Sequence, residues 1–438
     1  MYVFLNQLLC VLTLLLIILM AVRYRYLLLK PSIVFLTCFH IQIQWAATFQ
    51  AGYIEQYLPH PYAFLMLAQV FPLLGLIVGF FLFHNRTLRV YRKIADAGIA
   101  GLEVNPRSLI LLFGAVLVIL LVYLAVVPLA KTGIYAILLD PLGATEARES
   151  SLKLLDSALL QYSFSLLKSA LAPLLCVLAS LYFIRHIKQW QPTRSALALA
   201  LILFTLITVS LPGARTPAAM LILTIFIALF IAYNMPIKLR YMLPALLLII
   251  ALPVFFTLVR EGQNLNIANF FQYLQGGIFN RIFVVPMETG LWHVHYAQDV
   301  GFVGVAGIPK LAEMLAVEPV NLGNIIYMSY SPYQVASGLS NTSFVFAYYS
   351  CFGIVSLLFS WLATWALDLA VLWMDKLKSY ALLLATAASL ITASFAFIST
   401  MYTTALITNG FILILAIAWM LDRFVSSCLA INNRKKIK

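Results

Sequence analysis

Two arginines stand where a positive charge is costly or well placed to bind an anion. Arg281 lies in Gly277-Ile-Phe-Asn-Arg-Ile-Phe-Val-Val-Pro286, an apolar run in which its charge costs energy unless an anion or an acid compensates it. Arg215 lies in Leu211-Pro-Gly-Ala-Arg-Thr-Pro217, where Pro212, Gly213 and Pro217 break the helices and expose backbone donors. A guanidinium beside free N–H groups can hold a pair of phosphate oxygens. The plainer readings are a snorkelling interfacial anchor for Arg215 and an ion pair with Glu288 for Arg281. That pair needs one helix to run through Pro286. Arg260, followed by Glu261, reads as a border pair at a span end, with substrate binding as its alternative. His293 and His295 sit in Trp292-His-Val-His-Tyr296, and spacing of two puts them on different sides of a helix, which disfavours a shared metal. A single histidine there can act as a general base or a sugar hydrogen-bond partner, and the plainer reading is packing or interfacial hydrogen bonding. Asn341, in Gly338-Leu-Ser-Asn-Thr-Ser343, either caps the next helix or binds a sugar hydroxyl.

Other chemistries lack their parts. There is no Walker A loop, GxGxxG, HExxH or GxSxG pattern. The five cysteines show no CxxC spacing and read as packing residues, so neither a disulfide framework nor a metal site is expected. Tyr273, Trp292, Tyr296, Tyr327, Tyr330 and Tyr333 can stack on sugar rings, but a membrane interface concentrates the same residues.

The elements that must position these groups follow from composition. Of 438 residues, 63% are hydrophobic and 10% charged, and mean hydropathy is +0.98. A soluble domain carries roughly 25% charged residues, and no soluble core hides this much apolar surface. The solvent is therefore lipid, which excludes a cytosolic enzyme, a secreted domain, a nucleic-acid binder and a disordered chain. Apolar runs of about 20 residues predict helical spans near 3–22, 32–50, 63–83, 108–128, 160–184, 195–212, 216–234, 242–260, 344–372, 380–399 and 404–421. Residues 3–22 lack a basic start and a cleavage site and read as a first span. The expected fold is an all-α polytopic membrane protein with about eleven spans, ten to thirteen allowed. Residues 1–260 form a first bundle of about eight spans, 261–343 one long, partly helical outer loop, and 344–438 the last spans and a basic tail.

Twenty of the 28 Lys and Arg residues, Lys30 among them, fall in one alternate set of loops. That places those loops and the C-terminus in the cytoplasm, and explains the formal charge of +13 without a nucleic-acid partner. The basic stretch 86–107 then rests on anionic headgroups. On the outer side, 129–159 forms a second loop, and 268–287 suits helices lying at the interface. A long loop is where function concentrates. The spans carry few ionisable groups: Lys168 and Asp368 lie near ends and His40 is nearly alone in the middle.

The GAR turn at 213–215, the segment Asn280-Arg-Ile-Phe-Val-Val-Pro286 and the stretch Asn341-Thr-Ser-Phe-Val-Phe-Ala-Tyr-Tyr-Ser-Cys-Phe-Gly353, in a polytopic chain with one late outer loop, resemble the bacterial O-antigen polymerases, the Wzy-type repeat-unit polymerases. The likeness covers roughly 205–360. It implies a glycosyltransferase of the bacterial inner membrane, active on the periplasmic face, that uses no cofactor and no metal. Its substrates would be glycans on undecaprenyl diphosphate. A flippase and a chain-length regulator would be partners besides lipid. On that resemblance Arg215 and Arg281 stabilise the leaving diphosphate, and Glu288 or His293 takes the acceptor proton. Arg260, Asn341 and Tyr348 contact substrate. The rivals are an O-antigen ligase with the same arginine logic and a lipid-linked-glycan flippase. The latter would line a path through the membrane with charge, which the spans lack.

Overall fold

A computed structural model describes the chain except residues 140–149, 152, 153, 156, 214, 234–246, 248–253, 255–266, 333–337, 437 and 438. Every regular element among the described residues is a helix, as lipid demands of a backbone that must satisfy its own hydrogen bonds. Nine of these helices are long and apolar enough to cross a membrane, from Tyr2–Arg23 to Tyr402–Val425. They fall on nine of the eleven expected spans. Thr216–Ala232, the tenth, is apolar but shorter, and most of 242–260 lies outside the described residues.

The span expected at 344–372 is two helices. Phe344–Phe352 ends at Gly353, whose φ of +60° lies in the left-handed region, and a new helix runs Val355–Leu367. A Cβ on Gly353 would stand 2.4 Å from the Phe302 ring, so both conformation and space require glycine there. An unbroken apolar run carries no sign of this bend.

The chain divides into two compact units. The first comprises Met1–Leu88, Gln275–Leu372 and Ser394–Ala405, so most of the expected outer loop packs with the first spans. Its centre is aromatic. Phe346 stacks between Phe39 and Phe64, with centroids at 5.9 and 5.3 Å, and Phe344 lies against Phe35 at 5.1 Å. Lipid tails are as apolar as these rings, so close packing rather than escape from water holds the helices together.

Polar side chains supply the rest. Two single-turn π segments, His40–Gln44 and Met66–Val70, interrupt their spans. The first holds His40 and Gln44 and the second Gln69, all turned inward: Gln44 Nε2 donates to Ala68 O at 2.8 Å, and Gln69 Nε2 donates to Asn6 Oδ1. Asn6 Nδ2 donates to Ala47 O at 3.1 Å, closing a network among the first three spans.

Lys30, counted above as a loop cation, is completely buried. Its Nζ lies 3.0 Å from Asp368 Oδ2 and also donates to Gly79 O. Asp368 in turn accepts from Ser32 N at 3.1 Å and Ser32 Oγ at 2.7 Å, capping the helix that starts at Pro31. Tertiary pairing converts what reads as an orientation signal into an internal bond.

The second unit comprises Arg89–Leu274, Trp373–Ala393 and Leu406–Lys438. Tyr123 stacks on Phe164 at 4.6 Å within a cluster that includes Leu120, Val127 and Leu211. Lys93 and Arg89 pair with Asp375 at 2.7 and 3.2 Å, so part of the basic stretch 86–107 is matched by protein. Residues 211–213 close against Gly133. Ile134 N donates to Leu211 O at 3.0 Å, and a Cβ on Gly133 would stand 2.3 Å from Pro212 O. Gly213, with φ +78°, completes this close approach of two backbones.

Candidate functional site

The helix Val285–Asp299 organises the site in the first unit. It starts where Val284 breaks the run from Asn280–Phe283, with Pro286 in its first turn, where a missing N–H costs nothing. One helix therefore does not carry both Arg281 and Glu288. No carboxylate lies within ion-pair distance of Arg281 among the described residues, so the pair considered above does not form. Gly290 brings the helix against Phe344–Phe352: a Cβ there would stand 2.8 Å from the Phe346 ring.

His293 faces this packed side and is buried. Its Nε2 lies 3.2 Å from the Ser340 carbonyl, which can only accept, so Nε2 carries the proton. Nδ1 then faces Ser350 Oγ at 2.9 Å, whose single proton is shared with Ala347 O, also at 2.9 Å. Burial pushes its pKa down to about 4, against the opposing Ser340 bond, so the ring is neutral at pH 7. Thr289 Oγ1 adds a second tie to the same loop, within 2.9 Å of both Asn341 O and Val285 O.

The loop so held forms one wall of a cavity of about 520 Å³. Its lining is largely apolar; Asn321, Ser340, Asn341, Thr342, Thr400 and His293 are among its polar groups, and no charged side chain lines it among the described residues. Thr342 Oγ1 is buried there without a hydrogen-bond partner, an unmet donor that a ligand oxygen would satisfy.

At the other end of the helix is an apolar groove of about 420 Å³. Ile41, Trp45 and Phe49 line it from one side, Phe279, Phe283 and Val284 from the other. Arg281 sits on that same Asn280–Phe283 turn, exposed. Glu288 follows in the first turn of the next helix, half-buried, and burial raises its carboxyl above the ordinary range.

Of the residues singled out from sequence, the cavity brings together His293 and Asn341. Arg281 and Glu288 flank the helix start. Asn341 does not cap the next helix: Ser343 holds the N-cap position, with its Oγ bonded to Phe397 O at 3.2 Å. Tyr348 is buried behind the wall, edge-on to Phe344 at 6.0 Å. Arg215 begins the helix Arg215–Ala232 in the second unit. Arg260 and Tyr333 lie outside the described residues. Sequence reading missed Ser340, Thr342, Ser350 and Thr400. Two hydroxyl-rich runs were the available signal: Ser340-Asn-Thr-Ser343, and Ser399-Thr400 with Thr403-Thr404 inside an apolar stretch.

No protein-family model, no curated protein and no solved structure matches this chain. Its described residues are helical wherever they form regular elements, and nine of the helices are long and apolar enough to cross a membrane.

Proposed function

We propose that this chain is a membrane glycosyltransferase that polymerises oligosaccharide repeats carried on undecaprenyl diphosphate. It works at the periplasmic face of a bacterial inner membrane, with its C-terminus in the cytoplasm. One observation carries the reading: the stretch 279–342 contributes residues to two cavities of differing polarity within one unit. The first is an apolar groove with Arg281 exposed on the turn that lines it. The second is a largely apolar cavity into which hydroxyl and amide groups are set, without lining charge among the described residues. A lipid tail suits the groove, a diphosphate suits the guanidinium, and sugar hydroxyls suit the cavity. The same stretch bears one of the motifs that resemble the repeat-unit polymerases and the start of another.

In the reaction an acceptor hydroxyl attacks the anomeric carbon of the growing chain. The bond from that carbon to the diphosphate oxygen breaks, undecaprenyl diphosphate leaves with the electron pair, and a base takes the hydroxyl proton. The anomeric carbon is bonded to the diphosphate, so the base belongs near Arg281. At 1.5 Å rise per residue, His293 lies about 12 Å along the helix from Val285, and its Nδ1 already faces Ser350 Oγ. We therefore assign the base to Glu288, whose raised pKa strengthens it, and a positioning role to His293. Asn341 is assigned to sugar hydroxyls. Arg215 remains a phosphate-binding proposal resting on its motif.

Deleting the gene and running the host's lipopolysaccharide on a gel tests this. The expected result is core bearing a single repeat, restored to a ladder by the wild-type chain and not by Arg281→Ala. An unchanged ladder would overturn the assignment. Accumulation of long lipid-linked polymer would turn it into a ligase.

A further inference from the structure

The helix Val285–Asp299 has another side, which the reaction above does not use. His295, two residues beyond His293, turns away from the cavity and meets Tyr57 edge-on, with centroids at 4.4 Å. Tyr53 stacks on Tyr57 at 5.3 Å and 20°. Tyr330 lies against His295 at 5.0 Å. Four rings thus form a row built from three segments: Ala51–Tyr57, the site helix and Leu322–Tyr330.

The row is fixed in place. Gln298 donates its Nε2 to His60 O at 3.1 Å and accepts His60 N at 3.2 Å, fastening the 51–60 connection to the site helix. Asp299, one turn beyond His295, is exposed and stands beside the Tyr330 hydroxyl. Burial, with Asp299 adding to it, pushes that hydroxyl up to about 12, so it remains a protonated donor. Tyr53 is 54% exposed, leaving ring surface open at the end of the row.

We propose that this row is a glycan-binding track, distinct from the cavity: successive sugars of an oligosaccharide stack on Tyr53, Tyr57 and Tyr330, and the Asp299 carboxylate accepts a sugar hydroxyl. The chemistry selects this class of ligand. Aromatic faces take the C–H face of a sugar ring, and a carboxylate accepts hydroxyl protons while repelling phosphate and other anions. Rings that touch in succession from Tyr53 to Tyr330 offer an extended chain more than one stacking place. Membrane anchors place single aromatic residues at the headgroups and do not need rings from three segments pinned by a glutamine. Rigidity keeps the ordering cost of binding low. The proposal rests on the glycosyltransferase reading for its consequence: a track that retains the growing chain sets how many repeats are added before release.

The test uses the full chain in lipid nanodiscs. The probe is host surface polysaccharide cut from its lipid by mild acid, and binding is read by saturation-transfer NMR. Saturable transfer to sugar-ring protons is expected, with affinity at least about tenfold weaker for Tyr53→Ala with Tyr57→Ala, and retained by Tyr53→Trp. In cells the same double variant should shorten the modal length of the ladder while the first additions persist. If the double variant fails to fold, Tyr53→Ala alone, at an exposed ring, still has to weaken binding. Wild-type affinity in the variants, no binding by the wild-type chain, or binding of choline in place of polysaccharide would each overturn the track. So would a loss confined to membrane anchoring with glycan binding intact. Failure of the polymerase reading shows elsewhere, as an unchanged ladder on gene deletion, with loss of polysaccharide binding in the variants still readable.

Discussion

Lys30 and Arg281 belong to the same unit, and the protein treats the two cations in opposite ways. Lys30 has no exposed surface: Asp368 neutralises it, Gly79 O accepts from it, and Ser32 completes the carboxylate's hydrogen bonds. Arg281 is exposed, on a turn lined with phenylalanine, with no carboxylate in reach among the described residues. His293 and Glu288 repeat the contrast on one helix. His293 is neutral with both nitrogens engaged, whereas Glu288 is half-buried with no ion pair among the described residues. A charge saturated by its own protein holds the fold together. An exposed charge without an ion-pair partner among the described residues is accessible to a ligand.

If that division is sound, altering open groups costs activity and altering closed groups costs stability. Arg281→Ala should abolish the polymer ladder, a loss of 100-fold or more by analogy with removing one donor from a developing oxyanion, with thermal stability unchanged. Arg281→Lys should recover part, because the charge returns without the two-pronged geometry. Glu288→Gln should slow polymerisation by about 10²–10⁴-fold. Because burial raises the Glu288 pKa, the wild-type rate should fall with decreasing pH at a point above the ordinary carboxylate range. That acid limb should vanish in Glu288→Gln, and its persistence would remove Glu288 from the reaction.

The closed groups behave otherwise. Lys30→Met or Asp368→Asn alone should cost about 3–5 kcal/mol by stranding the partner. Lys30→Met with Asp368→Leu should recover most of it and keep the ladder. Equal melting of single and double variants would show that the pair holds nothing. His293 has a folded pKa of about 4 against the 6.5 of a free imidazole, so the unfolded chain takes up the proton first. Its contribution is complete above pH 6.5 and declines as pH falls toward 4, by about 3 kcal/mol in all. His293→Asn should flatten that decline in a melting series. The smallest effect is expected of Gly290→Ala, about 1–3 kcal/mol for a methyl forced on the Phe346 ring.

What the sequence disclosed divides along the same line. Spans are legible because twenty apolar residues in a row have one solution in lipid, and Arg281 stood out because its charge lies in an apolar run. Features made by distant partners were not. Asp368 meets Lys30 across most of the chain, and Ser340 and Ser350 engage His293 from a different segment, so Lys30 read as a loop charge and the partners of His293 did not show. The break at Gly353 was hidden for another reason. A glycine inside an apolar run shows no φ, and only the Phe302 ring against it explains why the helix stops.

The central claim is that Arg281 is left open for the diphosphate of a lipid-linked glycan. Its most direct test is the purified full chain in nanodiscs, incubated with the host's undecaprenyl-diphosphate-linked repeat, with products resolved on a gel. The wild-type chain should yield a ladder and Arg281→Ala only the starting repeat, with both proteins equally folded. A ladder from Arg281→Ala, or none from the wild-type chain, would contradict it.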